Sequence, residues 1–128
     1  MSLKRRLSLM IHPWRVVVER LPPTAAVPPA EGPFWAAVRT PESLTLVRSQ
    51  RRGDLQPVWR ALEIAGPFAF SETGVLAAVA QPLAEAGVSI FAVNSFETDF
   101  VLVQEPDLER ARAALAAIGH RLAETEGP

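Results

Sequence analysis

The 128-residue chain contains no cysteine and no tyrosine, and it has only two histidines. Without cysteine the protein has no disulfides, no thiolate metal sites and no cysteine nucleophile. His12 and His120 are far apart in sequence, which leaves little basis for a zinc site or a serine–histidine catalytic centre. We therefore predict a non-catalytic protein with no metal and no cofactor, and we assign neither histidine a role.

Long apolar runs are also missing. No stretch approaches the roughly 18 to 20 apolar residues that a membrane-spanning helix needs. The basic N-terminus is followed by only a short apolar stretch at residues 7–11, which is too short for the apolar region of a signal peptide. We expect a cytoplasmic protein that does not bind a membrane.

Charge is divided unevenly along the chain. The net charge of −1 is the balance of about +6 in residues 1–60 and about −7 in residues 61–128. The arginines of the first half are scattered, and aromatic residues make up only 7% of the chain, so a nucleic-acid interface is disfavoured. Unlike charges on the two halves favour their packing together, or the packing of two copies. We predict a homodimer.

The sequence of the first half of the chain predicts β-structure interrupted by proline. Residues 14–20 are short and β-branched, which is typical of a strand. Five prolines within residues 21–33 predict a loop, because proline fixes φ and donates no backbone hydrogen bond. Residues 34–39 and 44–48 flank a turn-rich tetrad and predict a hairpin. We assign residues 1–56 to a β-rich N-terminal module.

The spacing of apolar residues changes in the second half of the chain. Apolar residues at helical spacing predict helices over residues 73–86 and again after residue 105, and short apolar runs predict strands at 58–65, 88–93, 100–103 and 120–123. The resulting order is β-α-β-β-α-β, which is the ferredoxin-like order of an antiparallel sheet with both helices on one face. We assign residues 57–128 to this α+β domain.

The start of the first helix has features of an anion site. Ser71 and Thr73 are candidate N-caps, and Gly87 lies where a left-handed residue ends a helix. The unpaired amides and the dipole of a helix N-terminus suit a carboxylate. Gly74 lacks a Cβ, so a ligand could approach its backbone; the alternative is that Gly74 serves only the geometry of the helix start.

Three blocks in the second half resemble the ACT domain. They are residues 66–76, 82–91 and 94–103, in order and at the family's spacing. The chain is similar to small bacterial two-module ACT proteins, to the ACT units of cytosolic arginine sensors and to the regulatory domains of aspartate kinases. The N-terminal half matches only loosely, so the resemblance implies a degenerate ACT-like module there.

The resemblance implies a regulatory sensor that binds a small amino acid between two ACT units. The ligand-binding residues that it implies are Glu72, Thr73, Gly74, Val75, Ser89, Ile90 and Asp99. Two carboxylates in one pocket repel each other unless a cation intervenes, so Glu72 and Asp99 favour a basic ligand such as arginine. The alternatives are that Glu72 complements the helix dipole and that Asp99 is a solvated turn residue.

Two further interpretations stay open at this level. The ACT fold could serve only as an interaction or dimerisation module that binds no small molecule. The three tryptophans, Trp14, Trp35 and Trp59, all lie at predicted strand positions and are interpreted as packing residues rather than as a ligand cage.

Overall fold

The computed structural model describes residues 6–65 and 74–126. Within these ranges the chain forms seven strands and two α-helices. The elements are β1 (Ser8–Leu21), β2 (Ala36–Arg39), β3 (Leu44–Ser49), β4 (Trp59–Ile64), α1 (Val75–Glu85), β5 (Ile90–Asn94), β6 (Asp99–Gln104), α2 (Leu108–Ala117) and β7 (Arg121–Glu124). The α+β class and the β-α-β-β-α-β order of the second half are confirmed. None of the helices in these ranges is long and apolar enough to cross a membrane.

The sheet differs from a simple four-stranded ferredoxin-like sheet in one respect. Its strand order is β2-β3-β1-β4-β6-β5, and β7 pairs with β1. The strand beside β4 is therefore the N-terminal β1, which runs antiparallel to β4 and parallel to β7. Pairing with β1 places that strand between β4 and β7, which would lie side by side in a four-stranded ferredoxin-like sheet.

Strand β1 joins the two halves of the chain. Its first residues, 8–11, pair with β4 and β7, and its last residues, 16–21, pair with β3. The register with β4 shifts between Ile11 and Arg15, a stretch that contains Pro13, which has no N–H to donate to a ladder. The boundary predicted at residue 56 falls in the loop between β3 and β4. The division into two modules stays a prediction, and β1 pairs with strands on both sides of it.

One face of the sheet packs against both helices. Alternate residues of β1, β4 and β6 point towards the helices, for example Ile11, Leu62 and Val101, all at most 1% exposed. The helices contribute the apolar stripes that the periodicity predicts: Val75, Val79 and Leu83 from α1, and Leu108, Ala111 and Leu115 from α2. Burying each large aliphatic side chain here contributes about 1.5–3 kcal/mol.

The opposite face carries an aromatic cluster. The rings of Trp14 and Phe34 lie 5.7 Å apart, and those of Phe34 and Phe100 lie 4.9 Å apart. Trp59 meets Phe91 edge to face at 6.2 Å. The prediction that Trp14 and Trp59 are packing residues is confirmed, because both pack against the buried residues of this face. Trp35 is half-buried.

Glycines close both ends of α1. The N-cap is Gly74, whose φ of 82° is left-handed, whereas the predicted caps Ser71 and Thr73 lie outside the described residues. At the other end Gly87 has a φ of 75°, as predicted. The Gly87 N–H donates to the Ala84 carbonyl and the Val88 N–H donates to the Leu83 carbonyl, which is the Schellman pattern.

An ion-pair group is buried in the N-terminal half. Arg48 has a side chain only 5% exposed, and it donates to Glu19 at 2.9 Å and to both carboxylate oxygens of Asp54 at 2.9 and 3.0 Å. The Arg48 guanidinium and the Arg51 backbone N–H lower the pKa of Asp54 from 3.8 to about 2. The hydrogen bonds that Arg48 donates to Asp54 also raise the pKa of Arg48. The group ties β1 and β3 to the loop before β4.

Neither histidine is incidental. His12 is 8% exposed, and its Nε2 lies 2.7 Å from Glu63 Oε1 while its Nδ1 lies 2.9 Å from the Thr125 hydroxyl. His120 is 4% exposed and is bonded through both ring nitrogens. Each imidazole can be buried because both of its ring nitrogens have hydrogen-bond partners. Those partners lie 42 to 113 residues away in sequence, which is why the sequence gives no sign of them.

Candidate functional site

One end of the sheet carries part of the predicted ligand site. Ile64, the last residue of β4, pairs with Asp99, the first residue of β6, and Asp99 in turn pairs with Asn94 at the end of β5. Asp99 is half-buried there. The chain leaves β4 at this end towards α1, through a segment that includes the predicted site residues Glu72 and Thr73. Both of these lie outside the described residues.

Gly74 is the N-cap of α1. It is exposed, and a Cβ built on it would have no atom of the described residues within 4 Å outside its chain neighbours. Its carbonyl accepts the first helical hydrogen bond, from the Ala78 N–H at 2.9 Å. The first amides of a helix have no partner inside the helix, and together with the dipole they attract an anion. This end of α1 therefore has the electrostatic character of a carboxylate site.

Val75 can contribute only its backbone to such a site. Its side chain is 5% exposed and belongs to the core beneath α1, together with Val79 and Leu83. Its amide belongs to the first turn of the helix, where donors lack intrahelical partners.

Ser89 and Ile90 lie at the opposite end. Ile90 opens β5 and pairs with Val103, whereas the other end of β5 pairs with Asp99. Ser89 is exposed just before the strand. Helix α1, which separates Gly74 from this point, has 11 residues and is about 16 Å long. One chain thus brings Asp99 and the start of α1 to one end and Ser89 with Ile90 to the other, so a site that uses both groups needs a second chain.

A second concave feature lies between the two outer strands of the sheet. It is a cleft of about 430 Å³ bounded by β2 and β3 on one side and by β5 on the other. Its lining consists of residues 36–38, Thr45, Val47 and residues 91–94. None of the predicted site residues within the described ranges lines it. The sequence gives no local signal for this cleft, because it exists only where two strands distant in sequence border the same space.

The residues that form β4, both helices, β5 and β6 match a known protein family. The model of the ACT domain family matches residues 54–117, which is half of the chain and includes β4, both helices, β5 and β6. The chain belongs to the ACT domain family. The match begins near the start of β4, and the N-terminal strands β1 to β3 precede it.

Curated relatives of this ACT protein include the human protein named "Cytosolic arginine sensor for mTORC1 subunit 1". The two are 39% identical over 66 residues, which is 51% of this chain but 18% of the sensor. The rat sensor is 38% identical over 69 residues. The human "Putative protein CASTOR3P" is 28% identical over 92 residues, covering 59% of this chain and 56% of that one. The ACT protein therefore spans about a fifth of the length of the arginine sensors that it matches.

Solved structures match over nearly the whole ACT protein. Protein Atu0741 from Agrobacterium tumefaciens has a TM-score of 0.86 and 33% identity, with 96% of each chain covered. The Vibrio cholerae protein VC0802, described as a protein of unknown function and possible transport protein, has a TM-score of 0.67 at 21% identity over 88% of this chain. The second likeness shows the fold alone. The likeness to Atu0741 extends over β1 to β3 as well as over the residues that match the ACT domain.

Proposed function

We propose that this ACT protein is a non-catalytic regulatory module that binds a free amino acid. The observation that carries the proposal is the start of α1, where a Cβ on Gly74 would meet no atom of the described residues and where the first amides have no partner inside the helix. That geometry suits the α-carboxylate that every amino acid carries. The similarity to arginine sensors supports the same class of ligand.

In this proposal the site is shared between two copies of the chain. One copy supplies Glu72, Thr73, Gly74 and Val75 together with Asp99, and the other supplies Ser89 and Ile90 next to the outer edge of its β5. Homodimerisation is therefore part of the proposed mechanism, since the two groups of residues lie at opposite ends of α1 in one chain. Assembly and ligand binding are then linked, which is how a module without catalytic residues can regulate a partner protein. A cytosolic location is proposed from the same relatives.

We propose a basic amino acid such as arginine as the ligand. The Gly74 end would bind the α-carboxylate, and the carboxylates of Glu72 and Asp99 would face the side chain. A guanidinium offers paired donors in a planar fork that matches a carboxylate. It would also relieve the repulsion between two acids in one pocket.

A second candidate function is an interaction module without a small-molecule ligand. It is favoured by β5, whose outer edge has no strand partner among the described residues and whose sequence, IFAVN, has no charge. Such an edge can pair with another strand.

A thermal-shift screen against the twenty amino acids separates the two functions. A ligand at 100 times its dissociation constant stabilises the folded state by about 2.7 kcal/mol, so the binding function predicts a clear rise in Tm with arginine. The interaction-module function predicts an unchanged Tm with all twenty amino acids. Sedimentation at several protein concentrations, with and without arginine, then tests the linkage between binding and assembly.

A further inference from the structure

The cleft lined by β2, β3 and β5 lies over one face of the sheet. Side chains along a strand alternate between the two faces. Ala36, Val47, Phe91 and Val93 line the cleft, and all four belong to the apolar cluster on the face opposite the helices. Strands β2 and β5 are at opposite ends of the strand order, so the sheet curves until both ends border one space. The cleft is therefore the concave part of a curved sheet face.

The apolar walls of the cleft are held in place by their neighbours. Val47 is only 2% exposed and lies at the bottom of the cleft. The ring of Phe91 meets the ring of Trp59 edge to face at 6.2 Å, which fixes an aromatic wall. Val38 is 59% exposed and stands at the rim. A preformed wall lowers the cost of ordering that a ligand must meet when it binds.

The lining decides the charge of the occupant. Among the described residues that line the cleft, none is charged, and the polar ones are Thr45 and Asn94. Thr45 pairs directly with Val38 of β2, so its hydroxyl is on the same face as the apolar walls. A charged group in the cleft would lose water without gaining a counter-charge from these residues. A neutral molecule with one hydrogen-bonding group matches this lining.

The size and shape of the cleft favour a small molecule over a second copy of the chain. Its volume of about 430 Å³ is within the range of about 300–1,000 Å³ that is typical of small-molecule pockets. Such pockets are lined mainly by apolar and aromatic side chains, with a few polar groups that orient the ligand. A second copy related by a two-fold axis through this face would bring the same concave surface against itself. Two concave surfaces do not fill each other, so that arrangement leaves the cleft without close packing.

We propose that the cleft is a second ligand site, which binds a neutral small molecule made of an apolar ring system and one hydroxyl group. The ring system packs against Val47 and Phe91, and the hydroxyl group bonds to the hydroxyl of Thr45. The ligand class differs from that of the proposed amino-acid site, because a free amino acid carries charges that this lining does not neutralise. The described residues that line the cleft include none of the proposed amino-acid site, so this inference does not depend on the proposed function.

The test compares 2-naphthol with 2-naphthoate on the full-length protein labelled with ¹⁵N. The two compounds share one ring system, but at pH about 7 the phenolic hydroxyl is neutral and the carboxylate is charged. We expect 2-naphthol to shift the backbone amide resonances of Thr45, Val47, Phe91 and Val93 with a Kd of about 1 mM, as its size allows. The affinity for 2-naphthoate should be about tenfold lower or less. Equal affinities, or shifts that leave these four residues unaffected, would overturn the proposal.

Matched variants test the walls and the polar contact separately. Ala36→Leu fills part of the cleft and should weaken 2-naphthol binding about tenfold or more, whereas Ala84→Leu on the exposed side of α1 should bind within about twofold of wild type. Thr45→Val keeps the shape but removes the hydroxyl and should weaken binding about fivefold. Thr45→Ser keeps the hydroxyl and should bind within about twofold of wild type. Full binding by both Ala36→Leu and Thr45→Val would contradict the proposal.

A second copy of the chain is the competing occupant, and sedimentation with and without 2-naphthol identifies it. A small-molecule site predicts the same sedimentation in both conditions. Dissociation of a dimer by 2-naphthol would show that the cleft is covered by the partner chain and would overturn the proposal. Arginine added in a separate titration reports on the amino-acid site through Gly74 and Val75. Failure there leaves the 2-naphthol result unaffected, so the two proposals fail independently.

Discussion

His120 supplies the hydrogen bond that Pro82 removes from helix α1. Proline at position 82 has no N–H, so the carbonyl of Ala78, four residues earlier, has no helical donor. His120 Nε2 lies 2.8 Å from that carbonyl oxygen and donates to it. The other ring nitrogen, Nδ1, accepts from the Leu7 N–H at 3.1 Å. One buried neutral imidazole thus joins the start of β1, the middle of α1 and the start of β7.

A double-mutant cycle tests this relationship. His120→Ala should destabilise the protein by about 2–4 kcal/mol, because it leaves the buried Leu7 N–H and the Ala78 carbonyl without partners. In a Pro82→Ala background the new N–H at position 82 can bond to Ala78, so the same substitution should cost about 1 kcal/mol less. Urea unfolding of the four proteins measures both values. Equal costs in the two backgrounds would show that the histidine does not compensate for the proline.

The ion pairs of Arg48 with Glu19 and Asp54 should make the free energy of unfolding depend on pH in the acidic range. The pKa of Asp54 is 3.8 ordinarily and about 2 in the fold, so its carboxylate stabilises the folded state above pH 3.8. That contribution is lost as pH falls through this range towards 2. We expect the unfolding free energy of wild type to fall more steeply between pH 4 and 2 than that of Asp54→Asn. Chemical denaturation at a series of pH values measures the two slopes, and parallel slopes would contradict the assignment.

Removing the arginine itself should be more damaging. Arg48→Met leaves Glu19 and Asp54 without their shared cation and should destabilise by about 3 kcal/mol or more. Arg51→Met is the control, because its ion pair with Glu31 is more than half exposed on both sides and should contribute about 0–1 kcal/mol. Thermal unfolding of both variants provides the comparison. A similar loss in the two would mean that burial of Arg48 is not the cause.

Gly74 and Gly53 offer a matched test of the amino-acid site. Both glycines have a left-handed φ, 82° and 90°, and a Cβ at either position would have no neighbour within 4 Å among residues 6–65 and 74–126. Alanine at either should cost about 1–2 kcal/mol from backbone strain. Only Gly74→Ala should also weaken arginine binding, because only Gly74 borders the proposed carboxylate site. Calorimetric titration of both variants distinguishes them; full binding by Gly74→Ala would exclude this helix start as the site.

Asp99 tests the class of ligand. Asp99→Asn should lower the affinity for arginine by about tenfold or more, as expected when a charged hydrogen-bond partner is lost, and should leave the response to leucine unchanged. Glu97→Gln, two residues earlier in the exposed turn, removes the same charge outside the proposed pocket and serves as the control. Titrations of arginine, lysine, leucine and threonine supply the data. Preference of the wild type for leucine or threonine would argue against a basic ligand.

Local sequence was enough to predict the elements of the second half of the chain and the hairpin of the first half. The apolar spacing of Val75, Val79 and Leu83 fixes α1, and Gly87 ends it because only glycine readily adopts a left-handed φ. The turn-rich tetrad 40–43 likewise predicts the hairpin of β2 and β3. These features depend on residues within a few positions of one another, so periodicity and turn chemistry capture them.

Only the tertiary structure decided how these elements are joined. The insertion of β1 between β4 and β7 pairs Leu9 with both Ile64 and Leu122, and no local pattern specifies such partners. The same holds for the cleft between β2 and β5 and for the separation of Ser89 from Gly74 by the length of α1. The physical reason is that strand pairing and buried hydrogen bonds join residues that are distant in the chain. Their partners are selected by the packing of the whole sheet, as the bond from His120 to Ala78 illustrates.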